Sequence, residues 1–115
     1  MQNFNGWLCL DKHAGISSNI AMLKVRNTLN QRVGYVGTLD PFATGVLPIG
    51  VGEARKFIRF IEQSKKKYIF TVIFGTLTDT LDKDGKIIET TSKIPNMYEI
   101  LNVISNFIGD IEQVP

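Results

Sequence analysis

Residues 37–48 are the stretch that most constrains the fold, and they run Gly37-Thr38-Leu39-Asp40-Pro41-Phe42-Ala43-Thr44-Gly45-Val46-Leu47-Pro48. Asp40 is the only ionisable side chain among them. Glycine permits backbone conformations that other residues avoid, and Pro41 restricts the residue before it to extended or turn conformations. The pattern therefore predicts a rigid loop that presents one carboxylate. Taken alone, Asp40 is either a turn cap that bonds its own downstream amides or a group that does chemistry.

The composition around this loop is that of a globular protein. The chain has 115 residues, of which 43% are hydrophobic, so we expect a single domain over residues 1–115. It contains no apolar run of the roughly 18 residues that a membrane span needs, and its amino terminus lacks the features of a secretory signal. Cys9 is the only cysteine, and we expect it to be a small buried side chain. These features predict a cytoplasmic protein with no membrane contact.

The net charge of +2 conceals an uneven distribution. Residues 1–67 contain ten Lys or Arg against four Asp or Glu, whereas residues 68–115 contain three against seven. The densest basic segment lies between Arg55 and Lys67, in the same half as the Asp40 loop. Such a segment suits a polyanion, or it is a solvated helix face with a lysine-rich turn, and charge alone leaves both open.

The hydrophobic pattern predicts strands and helices on both sides of the loop. The predicted strands are Gly6–Asp11, Val46–Val51, Lys67–Gly75 and Lys86–Thr90. The predicted helices are one that Ser17 or Ser18 caps and that runs to about Asn30, then Glu53–Ile61 and Asn96–Phe107. Residues 67–75 have the strongest strand pattern, because aromatic and β-branched side chains alternate along them, and we expect both faces to be covered. Since helices separate only some of the strands, the order indicates an α+β fold with a mixed sheet and flanking helices.

Three further side chains outside the loop are candidates for binding. Tyr68 follows three lysines, and it is either a core tyrosine or an aromatic that stacks on an RNA base. Lys56 can help the amino terminus of a predicted helix to accept a backbone phosphate, although Glu53 in the first turn argues against that use. Asp82 belongs to an acidic segment that ends in the hairpin signal Asp84-Gly85, and it is a candidate for the edge of a site.

The sequence offers little support for a metal site. The aspartates of residues 78–85 do not have the spacing of a calcium loop, and the distal glutamate is missing. His13 is the only histidine, and the sequence has no cluster of His, Cys and carboxylate at ligand spacing. We therefore expect no metal.

Several motifs together resemble the TruB family of tRNA pseudouridine synthases, which convert one uridine in the T-loop of transfer RNA. Residues 34–48 are similar to the family's catalytic motif and residues 6–18 to its first motif, while Tyr68 falls where the family carries its base-contacting tyrosine. The resemblance implies the amino-terminal portion of the pseudouridine synthase catalytic domain. It also implies that the chain ends within a further motif, at residues 109–115, so we expect the rest of that domain and an RNA-binding domain to be missing.

By this resemblance Asp40 is the catalytic nucleophile, and the residues implied to contact the RNA are Tyr68, Tyr35, Lys56, Asp82 and Lys12. The reaction breaks the bond from ribose C1′ to uracil N1, turns the base and rejoins it through C5. The resemblance implies no metal and no organic cofactor. Whether the carboxylate attacks C6 of the base or assists loss of a ribose proton is left open. The implied partner is the T-arm of transfer RNA, bound by a monomer.

Two residues depart from the family pattern. Tyr35 stands where the family usually has a histidine, and His13 stands where it usually has a proline. Tyrosine can still stack and donate a hydrogen bond, but it carries no positive charge at neutral pH. Two functions therefore remain open, an active isomerase acting through Asp40 and a truncated, inactive remnant that only binds RNA.

Overall fold

A computed structural model describes residues 3–114. The chain divides after Lys67 into two compact units, and each combines helices with an antiparallel sheet. The predicted α+β class with flanking helices is thus confirmed. The described strand pairs are all antiparallel rather than mixed. The single domain over residues 1–115 stays a prediction.

The first unit contains most of the predicted elements. Its elements are β1 (Gly6–Lys12), α1 (Ser18–Leu29), β2 (Val33–Tyr35), β3 (Gly45–Val51), a 3-10 helix (Gly52–Phe57) and α2 (Ile58–Glu62). The predicted helix at 53–61 is therefore a 3-10 segment that continues into one short α-helix. The helix α1 begins where Ser17 accepts a hydrogen bond from the backbone N–H of Ile20, and it ends at Asn30 in the left-handed conformation.

The strand β3 lies in the middle of a three-stranded sheet, between β1 and β2. It contains Pro48, a residue that central strands usually avoid because it has no N–H to donate. The carbonyl of Pro48 accepts a hydrogen bond from the N–H of Val36, just beyond the end of β2. In an antiparallel strand the N–H and C=O of one residue point to the same neighbour. The missing N–H therefore faces the end of the short strand β2, and the ladder with β1 stays complete.

The hydrophobic core of this unit lies on one face of the sheet. Leu47, Ile49 and Val51 of β3 are completely buried, and they pack with Ala21 of α1. Side chains alternate between the two faces of a strand, so this spacing places every second residue of β3 inward. The same alternation points Cys9 of β1 outward, and the prediction that it is buried is wrong.

The second unit has fewer regular elements. Its elements are β4 (Thr76–Thr78), β5 (Ile87–Thr90), α3 (Met97–Ile104) and a 3-10 helix (Ser105–Phe107). The strand β5 confirms the predicted strand at residues 86–90, and it pairs with β4 around the predicted Asp84-Gly85 turn. The strand predicted before this turn was residues 67–75, whereas β4 lies at Thr76–Thr78. The third predicted helix is confirmed as α3.

The prediction of a strand over residues 67–75 is wrong. These residues form no strand, and Ile69 is 91% exposed. An alternating apolar pattern specifies only which side chains share a face, whereas a strand also needs a neighbouring backbone to supply hydrogen bonds. Within the described part of the chain, no segment pairs with residues 67–74.

The amino terminus of α3 provides a test of local stability. The Asn96 side chain accepts a hydrogen bond from the N–H of Glu99 at 3.0 Å, and the Glu99 carboxylate accepts one from the N–H of Asn96 at 2.8 Å. We expect Asn96→Ala to lower the opening free energy of α3 by about 1 kcal/mol, measured by hydrogen exchange of its amides. Asn102→Ala, inside the same helix, is the control and should not destabilise it. Equal protection of α3 in both variants would contradict the capping role.

Candidate active site

The loop that carries Asp40 connects β2 to β3. Gly37 and Gly45 border it with φ values of +70° and +145°, which side chains disfavour, and this explains the two glycines of the sequence pattern. The carbonyl of Asp40 accepts a hydrogen bond from the N–H of Ala43 at 2.9 Å and closes a tight turn over Pro41 and Phe42.

The carboxylate of Asp40 is exposed. Among residues 3–114 it has no hydrogen-bond or ion-pair partner, and the Asp40 turn is closed by a backbone carbonyl. A turn cap would accept a hydrogen bond from a downstream amide through its side chain. The structure thus gives Asp40 no capping role, and its carboxylate is accessible to a ligand.

Lys12 lies beneath the loop and is buried, with 1% of its surface exposed. It is on the core face of β1, and its ammonium donates hydrogen bonds to the carbonyls of His13 at 2.9 Å, Ile16 at 2.8 Å and Pro41 at 3.3 Å. The N–H of Gly15 donates to the same Pro41 carbonyl at 2.8 Å. Lys12 therefore ties the turn after β1 to the residue that follows Asp40. Its predicted contact with RNA stays a prediction.

Ser18 holds the other side of the loop. Its hydroxyl donates to the carbonyl of Leu39 at 3.0 Å and accepts from the N–H of Leu39 at 2.9 Å. Ser17, not Ser18, caps α1. A second hydroxyl directly after a capping serine was the only sequence signal for this contact.

Tyr35 and Lys56 also belong to the first unit. Tyr35 ends β2 and is partly buried against the core cluster. Lys56 is exposed and forms an ion pair with Glu53 one turn earlier in the 3-10 helix. The hydrogen bond and positive charge of Lys56 lower the pKa of the Glu53 carboxyl. Because exposed pairs of this kind are weak, Lys56 can exchange Glu53 for a phosphate at little cost.

The end of the basic segment lies close to the Asp40 loop. A Cβ built on Gly37 would be 3.8 Å from Cε of Lys66. The Lys66 ammonium donates to the carbonyl of Glu62, the last residue of α2, at 3.0 Å. Lys66 therefore adds positive charge beside the start of the Asp40 loop. The sequence separation between Lys66 and Gly37 gave no sign that the two residues lie close together.

Tyr68 and Asp82 belong to the second unit. Tyr68 is 63% exposed, in the irregular segment that follows the lysines. Asp82 lies in the hairpin turn, where its carboxylate accepts hydrogen bonds from the Thr80 hydroxyl at 2.7 Å and the Asp84 N–H at 2.9 Å. Both bonds favour the charged carboxylate and lower its pKa. In this unit Asp82 stabilises the turn, and Tyr68 is accessible.

Neither a metal cluster nor a membrane helix is evident between residues 3 and 114. No group of three or more His, Cys, Asp or Glu side chains in this range could hold a metal ion. No helix in the same range is long and apolar enough to cross a membrane.

Comparisons with known proteins point to one family. The model of the TruB family pseudouridylate synthase N-terminal domain matches residues 24–115. A tRNA pseudouridine synthase B of Ehrlichia ruminantium (strain Gardel) is 48% identical over 111 residues, which cover 96% of this chain and 38% of the relative. The protein of the same name from Caulobacter sp. (strain K31) is 42% identical over 112 residues, covering 96% of this chain and 36% of that relative.

A search of solved structures found a chain from an H/ACA RNP bound to a substrate RNA containing 2′-deoxyuridine. Its TM-score is 0.48, with 33% identity over 49% of this chain and 18% of that chain. The present chain spans little more than a third of the length of the curated relatives named above.

Proposed function

Because this chain belongs to the TruB family of pseudouridylate synthases, we propose that it takes part in converting a uridine of transfer RNA into pseudouridine. The observation that carries the proposal is the exposed Asp40 carboxylate, which has no partner among residues 3–114 and lies on a loop whose backbone is hydrogen-bonded on both sides. Relatives that carry the name tRNA pseudouridine synthase B support the substrate class. We assign the target to the T-loop uridine at position 55.

The proposed reaction needs a carboxylate, and it neither adds atoms to the nucleotide nor removes them overall. Asp40 acts as the nucleophile while the bond from C1′ to N1 breaks, the uracil turns, and C5 bonds to C1′. C5 then loses a proton, N1 gains one, and the Asp40 carboxylate is released unchanged. The product is an isomer of the substrate. Such a step depends on holding the carboxylate within bonding distance of the nucleotide, and a fixed loop supports that positioning better than a mobile one. Asp40 acts in its ionised form in this scheme.

The RNA contacts are proposed from exposure and charge. The target uridine leaves its stack before reaction, and the exposed ring of Tyr68 can stack on it. Tyr35 can donate a hydrogen bond through its phenol, and Lys56 can neutralise a phosphate. The structural support for an RNA contact is weaker for Lys12 and Asp82, because both side chains form hydrogen bonds within the protein. We further propose that the protein acts on the T-arm as a monomer in the cytoplasm.

A direct assay tests the activity. The 115-residue chain, and a version extended by any coding sequence that follows, are incubated with unmodified transfer RNA, and pseudouridine is mapped by position. We expect product at the T-loop uridine with at least the extended version. Absence of product from both would contradict the proposed activity.

A second candidate function is an RNA-binding remnant without catalysis. The positive charge of Lys66 beside the Asp40 loop favours it, because that charge attracts a polyanion whether or not Asp40 reacts. Binding of transfer RNA by the 115-residue chain, with product formed only by the extended version, would support this role for the short chain.

Salt dependence gives a further prediction for RNA binding. If three phosphates are neutralised, the slope of log affinity against log salt is about −2, a loss of roughly 20-fold between about 50 and about 200 mM. We expect Lys66→Met to make this slope shallower by about 0.7, because one contact beside the Asp40 loop is removed. Lys93→Met, in the acidic half of the chain, is the control and should leave the slope unchanged. Identical slopes for the two variants would exclude Lys66 from the RNA interface.

A further inference from the structure

Ser18 is a buried hydroxyl that the capping of α1 does not require. Ser17 already caps the helix through its own side chain, and Ser18 is the first helical residue, with 1% of its surface exposed. Burying a hydroxyl is unfavourable unless it is hydrogen-bonded, and alanine has a higher helix propensity at such a position. The partner of Ser18 must therefore account for its presence.

That partner is Leu39, the residue before Asp40. One hydroxyl bonds both the N–H and the carbonyl of Leu39, at 2.9 Å and 3.0 Å, although the two residues are 21 positions apart. The carbonyl of Leu39 belongs to the peptide group that leads into the Cα of Asp40. Holding this peptide limits its rotation, and thus the direction in which the Asp40 side chain leaves the backbone.

The peptide after Asp40 is held independently. The carbonyl of Asp40 accepts from the N–H of Ala43, and the carbonyl of Pro41 accepts from Gly15 and Lys12. With Ser18 on the preceding side, the backbone is held on both sides of Asp40, while the carboxylate itself has no partner among the described residues. Ser18 is the side-chain contact that fixes the preceding peptide.

We propose, resting on the synthase activity proposed above, that Ser18 is a positioning residue that orients the Asp40 carboxylate toward the nucleotide. Ser18 does not contact the substrate in this role. Losing its hydroxyl leaves the binding surface intact but lets the Leu39 peptide rotate. A displacement of about 1 Å at a reacting group can cost about 100-fold in rate. The proposal therefore predicts an effect on kcat rather than on KM.

The test compares three variants of the longest open reading frame that contains the chain, with kcat and KM measured on unmodified transfer RNA. Ser18→Ala should lower kcat by about 10- to 100-fold with KM changed by less than about threefold. Ser18→Thr keeps the hydroxyl and should recover most of the loss. Ser17→Ala is the matched control, because it removes a neighbouring hydroxyl and weakens the helix cap without touching Leu39. Its kcat should stay within about twofold of wild type.

Thermal unfolding of each variant shows that the proteins compared are folded. If Ser18→Ala keeps the wild-type kcat, or if Ser17→Ala loses as much kcat as Ser18→Ala, the positioning role is overturned while the synthase activity stands. A wild-type protein that forms no pseudouridine overturns the proposed function and this inference together.

Discussion

We expect replacement of Asp40 with Asn to lower kcat for the proposed pseudouridine formation by at least about 1,000-fold, because the amide cannot act as a nucleophile in place of the carboxylate. The change is nearly isosteric. The Asp40 side chain has no hydrogen-bond or ion-pair partner among residues 3–114, so the free energy of unfolding should change by less than about 0.5 kcal/mol. Loss of activity would thus come from the reacting group itself. The measurement is single-turnover conversion of unmodified transfer RNA.

A measurement of RNA affinity distinguishes a loss of catalysis in Asp40→Asn from a loss of RNA binding. Removing a negative charge does not weaken attraction to a polyanion, so the affinity of Asp40→Asn for transfer RNA should stay within about threefold of wild type. Glu62→Gln, which neutralises another exposed carboxylate of the same unit, is the control and should keep its activity. Product formed by Asp40→Asn at the wild-type rate would refute the nucleophile assignment.

The second large effect is expected on stability, at Lys12. Lys12→Met keeps the length and burial of the side chain but removes its ammonium, which leaves the carbonyls of His13 and Ile16 without this donor. Leaving a buried polar group unpaired costs about 1–3 kcal/mol. We expect Lys12→Met to lower the free energy of unfolding of the first unit by about 2–4 kcal/mol, measured by urea denaturation followed by Trp7 fluorescence.

A matched substitution controls for the loss of a lysine. Lys24→Met removes an exposed lysine from α1 and should change the free energy of unfolding by less than about 0.5 kcal/mol. Equal stability of the two variants would refute the structural role of Lys12. The salt dependence of RNA binding should also be unchanged in Lys12→Met, since its ammonium faces three carbonyls. A shallower slope would favour the predicted RNA contact instead.

Most local structure of the first unit could be predicted from sequence. The strand β3 and the helix α1 follow from hydrophobic periodicity and from the capping residues at each end. The Asp40 loop was predicted from its glycines and from the restriction that Pro41 imposes. These signals are local, so the sequence carries them without reference to distant partners.

At residues 67–75 the local pattern does not determine the structure. Its alternating pattern is the strongest in the chain, yet Ile69 and its neighbours are exposed and unpaired. Pairing is a property of two segments, and periodicity within one of them cannot supply the other. The prediction that Cys9 is buried was wrong for a related reason, because the burial of Cys9 depends on which face of β1 packs against the core.

For this protein, the sequence by itself determined the family, the elements β1, α1 and β3 of the first unit and the glycine-bordered loop that carries Asp40, because these depend on residue identity and short-range spacing. Only the tertiary structure decided what surrounds that residue. It gave Lys12 a structural role beneath the loop, engaged Ser18 with Leu39 and left the Asp40 carboxylate exposed. Hydrogen bonds between residues more than 20 positions apart depend on how β1, α1 and the loop pack together, and local sequence does not encode that arrangement in a readable pattern.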